Sequence, residues 1–336
     1  MKMKKFVHLF FLGVLCVILF MMGINYFTDT SGIFNKDFSK KRPEPNQHFV
    51  KVRYILSEPA KYNAFWFGSS RIGNIDVRKI KNDKRYYNMT YSEGLPKEWL
   101  MDIKLFLKHS VEIKQLILGL DEFSFRVDPT SHFSQLYRKP YKEENNLMTY
   151  VELLVRRPRL NPGQENKASF YDIYGAGETL HEYVDQDIEK NIEKHLKDKK
   201  FQQPQGFRGN RISQTIADLR EIKNIAEENH IELIVFINPI HKTTYLDTNQ
   251  DEFDEFKREL ATITDYYDFS GLNEITTNNY NYYETSHYRP FVGDRILERI
   301  LDEEKHNREE TFGVYVTKNN VEQHIQKLRM DIEKDQ

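Results

Sequence analysis

The chain has 336 residues, a hydrophobic content of 39% and a net charge of -2 at pH 7. This length suffices for one large domain or two small ones, and the charge argues against a general nucleic-acid binder, which is normally strongly basic. The one cysteine, Cys16, lies in an apolar N-terminal segment. The rest of the chain therefore has no disulfide and no thiolate zinc site.

The N-terminal segment is predicted to be a transmembrane anchor over residues 1–27. Three lysines within the first five residues precede an apolar stretch from Phe6 to about Phe27. About 20 apolar residues span a bilayer, and flanking lysines stay on the cytoplasmic side, so the rest of the chain should lie outside the cytoplasm. A cleaved signal peptide is the alternative, but the segment ends without a small-x-small cleavage site.

The next segments are predicted to be a spacer, a strand and a helix. Residues 28–60 are mostly polar, and we expect them to lift the folded domain off the membrane. The apolar run Tyr62–Phe67 fits a buried strand, which Gly68 ends. A helix is predicted to begin near Ser70 and to continue to about Ile80.

Apolar periodicity then predicts further elements as far as residue 302. The predicted strands cover 85–89, 115–120, 231–237 and 265–269, and the predicted helices cover 96–108, 211–226 and 251–260. Residues 122–209 are rich in Arg, Tyr, Pro and Gly, so we interpret them as a long insertion with some helix. The charged tail 303–336 carries a helical stripe, which either packs back on the domain or binds a partner.

Alternation of helices with five apolar strands indicates an α/β fold whose parallel sheet is covered on both faces. Sites in such sheets form at the carboxyl ends of the strands. Ser70, the segment Asn88–Gly94, Asp121, His241 and His287 each follow a different predicted strand. We therefore expect all of them along one edge of the sheet.

Four blocks resemble the SGNH (GDSL-type) hydrolase superfamily: Gly68-Ser69-Ser70, Asn88 to Gly94, Gly119-Leu120-Asp121 and Glu284-Thr285-Ser286-His287. The resemblance extends to membrane-anchored, extracytoplasmic members such as the teichoic acid D-alanyl transfer protein and the alginate O-acetyltransferase group. It implies a three-layer α/β/α fold with a central parallel five-stranded sheet over residues 61–302, with the insertion unmatched.

The resemblance implies a serine nucleophile and its proton acceptor. Ser70 occupies the nucleophile position and His287 the general-base position, although Ser69 is an adjacent competitor. Glu284 lies where the family has an aspartate that orients the histidine, and Asp268 is the alternative carboxylate.

The block around Asp121 departs from the family, which has an asparagine that donates a hydrogen bond to the oxyanion. A carboxylate cannot donate, and the loss of one such donor typically costs a factor of about 10²–10³ in rate. The backbone N–H groups of Ser70 and Gly94 and the side chain of Asn88 are the other candidate donors.

Several basic side chains are candidates for substrate or membrane contacts. Arg71 either holds an anionic substrate or is a solvated or salt-bridged arginine, and His241 is predicted to line the pocket. Arg156, Arg157 and Arg159 meet an anionic polymer or lipid headgroups, or form a solvated face.

The leading hypothesis is a membrane-anchored acyltransferase or esterase that modifies a cell-envelope polysaccharide or teichoic-acid-like polymer through an acyl-serine intermediate. The resemblance also implies a membrane-bound O-acyltransferase as partner, and we expect no cofactor and no metal. A surface-glycan deacetylase and a non-catalytic assembly protein on the same fold are the alternatives.

Overall fold

The computed structural model describes residues 2–29, 31–34, 45–133, 135, 137–144, 146–157, 170–301 and 312–335. Within these ranges the chain has an α/β architecture built on a six-stranded sheet with strand order β2-β1-β3-β6-β7-β8. A separate hairpin contains β4 and β5. The strands are β1 (Ala64–Gly68), β2 (Tyr86–Asn88), β3 (Gln115–Leu120), β4 (Phe170–Tyr171), β5 (Thr179–Leu180), β6 (Glu232–Ile237), β7 (Tyr266–Asp268) and β8 (Val314–Val316).

The described helices alternate with these strands along most of the chain. They are α1 (Lys2–Thr28), α2 (Gln47–Ser57), α3 (Pro96–Lys108), α4 (Thr130–Phe133), α5 (Leu147–Val155), α6 (Glu182–Lys190), α7 (Ile192–Leu196), α8 (Ile212–Glu228), α9 (Lys242–Asp247), α10 (Gln250–Ala261), α11 (Pro290–Leu301) and α12 (Val321–Asp335). Short 3₁₀ helices cover Ser70–Asn74, Val77–Lys79, Lys199–Gln202 and Asn279–Asn281.

The sheet is mixed, whereas the sequence predicted five parallel strands. Strands β2, β1, β3, β6 and β7 are parallel to one another. Strand β8 pairs antiparallel with β7 at the edge of the sheet. The difference arises from the charged C-terminal region, where Val314–Val316 adds an edge strand. The prediction of a charged helical tail over 303–336 therefore missed this strand, and residues 303–311 of that range lie outside the described residues.

The strands are buried on both faces because their side chains alternate between two hydrophobic clusters. In β1, Phe65 and Phe67 pack with residues of α3, α8 and α10, whereas Ala64 and Trp66 pack with residues of α11. Helices therefore cover both faces, and the carboxyl ends of the parallel strands form one edge of the sheet.

The helix predicted from Ser70 to Ile80 is replaced by two short 3₁₀ helices, Ser70–Asn74 and Val77–Lys79. Asp76 begins the second one, since its carboxylate accepts a hydrogen bond from the backbone N–H of Arg78 at 3.1 Å. Such a side-chain acceptor interrupts a continuous helix and favours a new start.

The predicted spacer 28–60 ends earlier than expected, because α2 is part of the core. Phe49, Val50 and Val52 on this helix are fully buried. Lys51 is also buried, and its ammonium donates to the backbone carbonyls of Asn88 (3.1 Å), Thr90 (2.7 Å) and Gly177 (2.6 Å). Residues 35–44 of the predicted spacer lie outside the described residues.

The apolar stripe of the C-terminal helix packs back on the domain, which was the first of the two predicted alternatives. Val321, Ile325 and Leu328 of α12 are buried. Arg329 of the same helix donates to the carboxylate of Asp254 in α10 at 2.6 Å.

The N-terminal helix α1 extends from the domain as a helix that is long and apolar enough to cross a membrane. Within Met3–Thr28, a window of 18 residues has a mean hydropathy of 2.6, and none of that window is buried. Near its C-terminal end α1 contacts α5, where the Asn25 amide donates to the carbonyl of Leu154 at 2.7 Å, and Tyr26 packs against the ring of Phe34.

Candidate active site

Ser70 lies at the carboxyl end of β1 on a tight turn into a 3₁₀ helix. A side chain at Gly68 would come within 2.9 Å of Ile72, so the turn requires glycine there. Ser69 is fully buried and caps the turn, since its hydroxyl accepts from the backbone N–H of Arg71 at 3.3 Å. Ser70 is half-buried. The two serines therefore differ, and Ser70 is the accessible one.

The side chains of Ser70, His287 and Glu284 form one hydrogen-bonded chain. Ser70 Oγ lies 2.8 Å from His287 Nε2, although 217 residues separate them. His287 Nδ1 is hydrogen-bonded to Glu284 Oε1. If Nδ1 carries the proton, Nε2 is free to accept a proton from the serine.

The Glu284 carboxylate is held by the backbone as well as by the histidine. The N–H groups of Ser286 and His287 donate to it at 2.7 and 3.0 Å. Burial alone would raise the pKa of Glu284, but the hydrogen bond and charge of His287, together with these backbone donors, lower it below its ordinary value. Glu284 is therefore ionised at neutral pH and can stabilise a protonated imidazole.

The loop that carries His287 is fixed from both sides. Its backbone closes on itself, since Tyr283 N donates to the carbonyl of His287 at 2.8 Å. Thr244 Oγ1, at the start of α9, donates to the carbonyl of Thr285 at 2.9 Å. The histidine therefore approaches Ser70 from a loop whose backbone hydrogen bonds are largely satisfied.

Arg71 joins the nucleophile turn to this loop. Its Nε donates to the carbonyl of Ser286 at 2.8 Å, and its two terminal nitrogens donate to Asp121 (2.7 Å) and to both oxygens of Glu122 (2.5 and 2.8 Å). All three side chains of this ion cluster are buried. Burial opposes the charge of Arg71, but the two carboxylates outweigh it and raise the pKa of the guanidinium.

This geometry matches the second alternative for Arg71, an internal salt bridge. An anionic substrate at Arg71 would have to displace two buried carboxylates, each of which would then lose its counter-charge. The observed hydrogen bonds instead make Arg71 a positioning residue, because they link the turn beside Ser70 to the backbone beside His287.

Asp121 contributes an acceptor to this edge of the sheet and no donor. Its Oδ1 accepts from Arg71 and, at 3.0 Å, from the amide of Asn238. Burial raises the pKa of Asp121, the charge of Arg71 opposes the rise, and the neighbouring Glu122 carboxylate adds to it. The negative charge of Asp121, which lies where the family has an oxyanion donor, is therefore partly compensated by the guanidinium of Arg71.

Asn88 and Gly94 lie beside the nucleophile turn, with their donors engaged elsewhere. The amide of Asn88 donates to the carbonyls of Ile72 (2.6 Å) and Ile75 (3.2 Å). The N–H of Gly94 donates to the carbonyl of Tyr91 at 3.3 Å. A side chain at Gly94 would come within 2.4 Å of a β1 carbonyl, so this glycine permits close packing of the two loops.

The N–H of Ser70 is the candidate oxyanion donor with the simplest geometry. It is the first residue of a 3₁₀ helix, where backbone N–H groups have no partner within the helix. The helix dipole also favours a negative charge at this end, although a helix of five residues contributes little.

His241 lies behind the His287 loop and both of its ring nitrogens are engaged. Nε2 contacts Asn279 Oδ1 at 2.9 Å, and Nδ1 accepts from the backbone N–H of Thr243 at 3.2 Å. Burial lowers the pKa of His241, so it is neutral at physiological pH. These contacts join His241 to the 3₁₀ helix Asn279–Asn281, and its predicted place in the lining of the pocket stays a prediction.

Sequence reasoning missed the residues that hold the cluster together. Asn238 connects Asp121 to Tyr288: its amide donates to Asp121 Oδ1 at 3.0 Å, and the hydroxyl of Tyr288 donates to Asn238 Oδ1 at 3.1 Å. Glu122 was not singled out at all. Their positions directly after β3 and β6 were the one indication that the sequence offered.

The cluster contains no evident metal site. Across the residues that the structure describes, no three His, Cys, Asp or Glu side chains are grouped so that they could hold a metal ion.

Comparison with known proteins adds no relative. No protein-family model matches the chain, and no curated protein matches it either. The resemblance to the SGNH superfamily therefore depends on the quoted residues alone and stays a prediction.

Proposed function

We propose that this chain is a membrane-anchored serine acyltransferase or esterase of the SGNH type, with the three-layer fold of that superfamily. The proposed substrate is a cell-envelope polysaccharide or a teichoic-acid-like polymer outside the cytoplasm. One observation carries the proposal: Ser70 Oγ lies 2.8 Å from His287 Nε2, and Glu284 binds the other ring nitrogen.

These three side chains support acyl transfer in two steps. His287 Nε2 takes the proton of Ser70 as Oγ attacks the acyl carbonyl, and Glu284 stabilises the imidazolium that forms. His287 then gives this proton to the leaving oxygen, which departs and leaves an acyl ester on Ser70. A hydroxyl of the acceptor then gives its proton to His287 and attacks this ester. His287 returns the proton to Ser70 Oγ, which departs as the free serine.

Two features of the chain support a site outside the cytoplasm and next to the membrane. Helix α1 is apolar enough to span a bilayer, and the lysines that precede its apolar stretch favour a cytoplasmic N-terminus. An acyl donor would then have to reach Ser70 from the membrane side. A membrane-bound O-acyltransferase is the partner that the family resemblance implies for this step.

Hydrolysis is a second candidate reaction, and the exposure of the site favours it. Ser70 is half-buried, and the side chain of His287 is 33% exposed. Water therefore reaches the proposed acyl-serine in the chain alone, unless a bound polymer or partner excludes it.

The proposal is tested by the turnover of an aryl acetate by the full chain in detergent. We expect release of the phenol by the wild type and its loss in Ser70→Ala, whereas Ser69→Ala retains it. Added envelope oligosaccharide should appear acetylated if the chain transfers the group, and acetate should appear if it hydrolyses. Equal rates in the wild type and Ser70→Ala would favour the non-catalytic assembly protein.

A further inference from the structure

Helix α5, Leu147–Val155, presents an apolar face that the rest of the described chain does not cover. Leu147, Met148, Val151 and Val155 are 68%, 57%, 37% and 42% exposed. Their spacing of one, three and four residues places them on one side of the helix. A contiguous exposed apolar face of this kind marks a surface that another apolar phase covers.

The opposite face of α5 is fixed to the end of α1. Asn25, in the last turn of α1, is buried and donates through its amide to the carbonyls of Leu154 and Arg156, both at 2.7 Å. These bonds satisfy carbonyls at the end of α5 that have no partner within the helix. The two helices are therefore joined at a defined place.

A small hydrophobic cluster ties this junction to the domain. Its buried members are Ile33, Phe49, Val50, Leu153 and Ile173. They come from the segment after α1, from α2, from α5 and from the hairpin region, so the segment that follows α1 and helix α5 pack against the same part of the domain.

The apolar surface of α1 continues towards α5. Tyr26 and Phe27 at the end of α1 are 52% and 84% exposed, and aromatic residues are enriched where a membrane meets water. Exposed Arg157 follows α5, at a position from which an arginine reaches lipid phosphates. Arg159 lies outside the described residues.

We propose that α5 lies in the plane of the membrane, with Leu147, Met148, Val151 and Val155 inserted at the boundary between headgroups and acyl chains. The helix has nine residues, hence a length of about 13 Å, which is too short to span a bilayer and suits an interfacial position. This inference rests on the membrane anchor of the proposed function, since α1 supplies the continuity.

Such a placement sets the position of the active site relative to the bilayer. Ile173 lies in the loop of the β4–β5 hairpin, and β5 packs on the nucleophile turn, since a side chain at Gly73 would meet Thr179 at 3.0 Å. A continuous set of packed elements therefore runs from the interfacial helix to Ser70. The site would face substrates and acyl donors at a fixed distance from the membrane.

The test uses a polarity-sensitive fluorophore on single cysteines of the full chain in phospholipid vesicles, with no other protein present. The native Cys16 in α1 reports the anchor. Met148→Cys in a Cys16→Ser background reports α5, and Met330→Cys is the matched control. Met330 is also an exposed methionine, at 49%, but it lies on α12, which packs with α10 beside the other end of the sheet.

The expected result is distinct for each probe. Nitroxide lipids should quench the labels at 16 and 148, and aqueous iodide should quench the label at 148 several-fold less than the label at 330. Iodide quenching of 148 equal to that of 330, with Cys16 in the bilayer, would overturn the interfacial helix alone and point to a protein partner on this face. Iodide access to all three would overturn the anchor as well, independently of esterase activity.

Discussion

Two groups of a serine, a histidine and a carboxylate lie among the residues that the structure describes, and they are built differently. At the edge of the sheet, Ser70 and Glu284 bind the two ring nitrogens of one histidine, His287. In the second group, His324 Nε2 binds Asp268 at 2.9 Å, but the nearby Ser270 hydroxyl accepts from Lys257 at 3.0 Å. In the first group the histidine lies between the serine and the carboxylate, so a proton can pass along the three side chains. In the second group the serine hydroxyl contacts a lysine, so the side chains form a packed ion cluster.

Burial separates the two groups further. Lys257 and Asp268 are 3.0 Å apart and inaccessible, and His324 is 7% exposed. Burial would raise the pKa of Asp268, but the charge of Lys257 and the hydrogen bond of His324 lower it far below its ordinary value. Asp268 was the alternative carboxylate for His287, yet its oxygens already serve Lys257, His324 and Ser270.

The largest expected effect is on the rate at the first group. Glu284→Gln should lower acyl-ester turnover by about 10³–10⁴-fold, because an amide cannot stabilise the imidazolium and favours the wrong tautomer. The thermal midpoint should change little, since Glu284 is partly exposed. A rate within threefold of wild type would remove Glu284 from the mechanism.

The second group should respond in stability. Asp268→Asn is expected to reduce the free energy of unfolding by about 3–5 kcal/mol, because it leaves the buried Lys257 ammonium without its counter-charge. Denaturant titration measures this. Adding Lys257→Met should recover part of the loss, and a double variant that is less stable than the single one would contradict the explanation.

The same ion pair predicts a dependence on pH. Since folding lowers the pKa of Asp268, the stability that it contributes is complete above its unfolded pKa and is lost as the pH falls below about 4. Wild type should therefore lose stability between pH 4 and pH 2 more steeply than Asp268→Asn. Parallel curves for the two proteins would show that another group is responsible.

Arg71 connects the two parts of the first group, and its replacement should have an intermediate effect. Arg71→Lys keeps the charge but loses the fork that contacts Ser286 and Glu122 together. We expect turnover to fall about 10–100-fold, because the histidine loop shifts relative to Ser70. An unchanged pH profile with a lower rate would fit positioning, whereas a raised KM alone would favour substrate binding by Arg71.

The smallest effect is expected at the neighbour of the nucleophile. Ser69→Ala removes a cap and should cost about 1 kcal/mol of stability, with turnover largely retained. A loss of turnover as large as that of Ser70→Ala would mean that the two serines have been assigned in the wrong order.

The sequence predicted the elements whose residues are uniformly apolar and left out those that depend on distant partners. The runs in β1, β3 and β6 were located within two residues. The helix α2 was missed because Lys51 made the segment polar, and no local pattern shows that three carbonyls from other loops bury it. The edge strand β8 is short and only partly buried, so it has no apolar run.

In the candidate active site, too, the residues in recognisable sequence blocks were predicted, and those that depend on distant partners were not. Ser70 and His287 were predicted from their blocks and lie in contact. The ion cluster of Arg71, Asp121 and Glu122 was not predicted, because each charge looks solvated until the fold brings them together. The support by Asn238 depends on β6 lying beside β3, which the sequence order of the strands does not reveal.

The most direct test of an activated Ser70 is intact-mass labelling of the full chain with a fluorophosphonate. We expect one adduct on the wild type, mapped to Ser70, and none on Ser70→Ala or His287→Ala. Ser69→Ala should label like the wild type. A folded wild-type chain that gains no adduct, or gains one that persists in Ser70→Ala, would contradict the account.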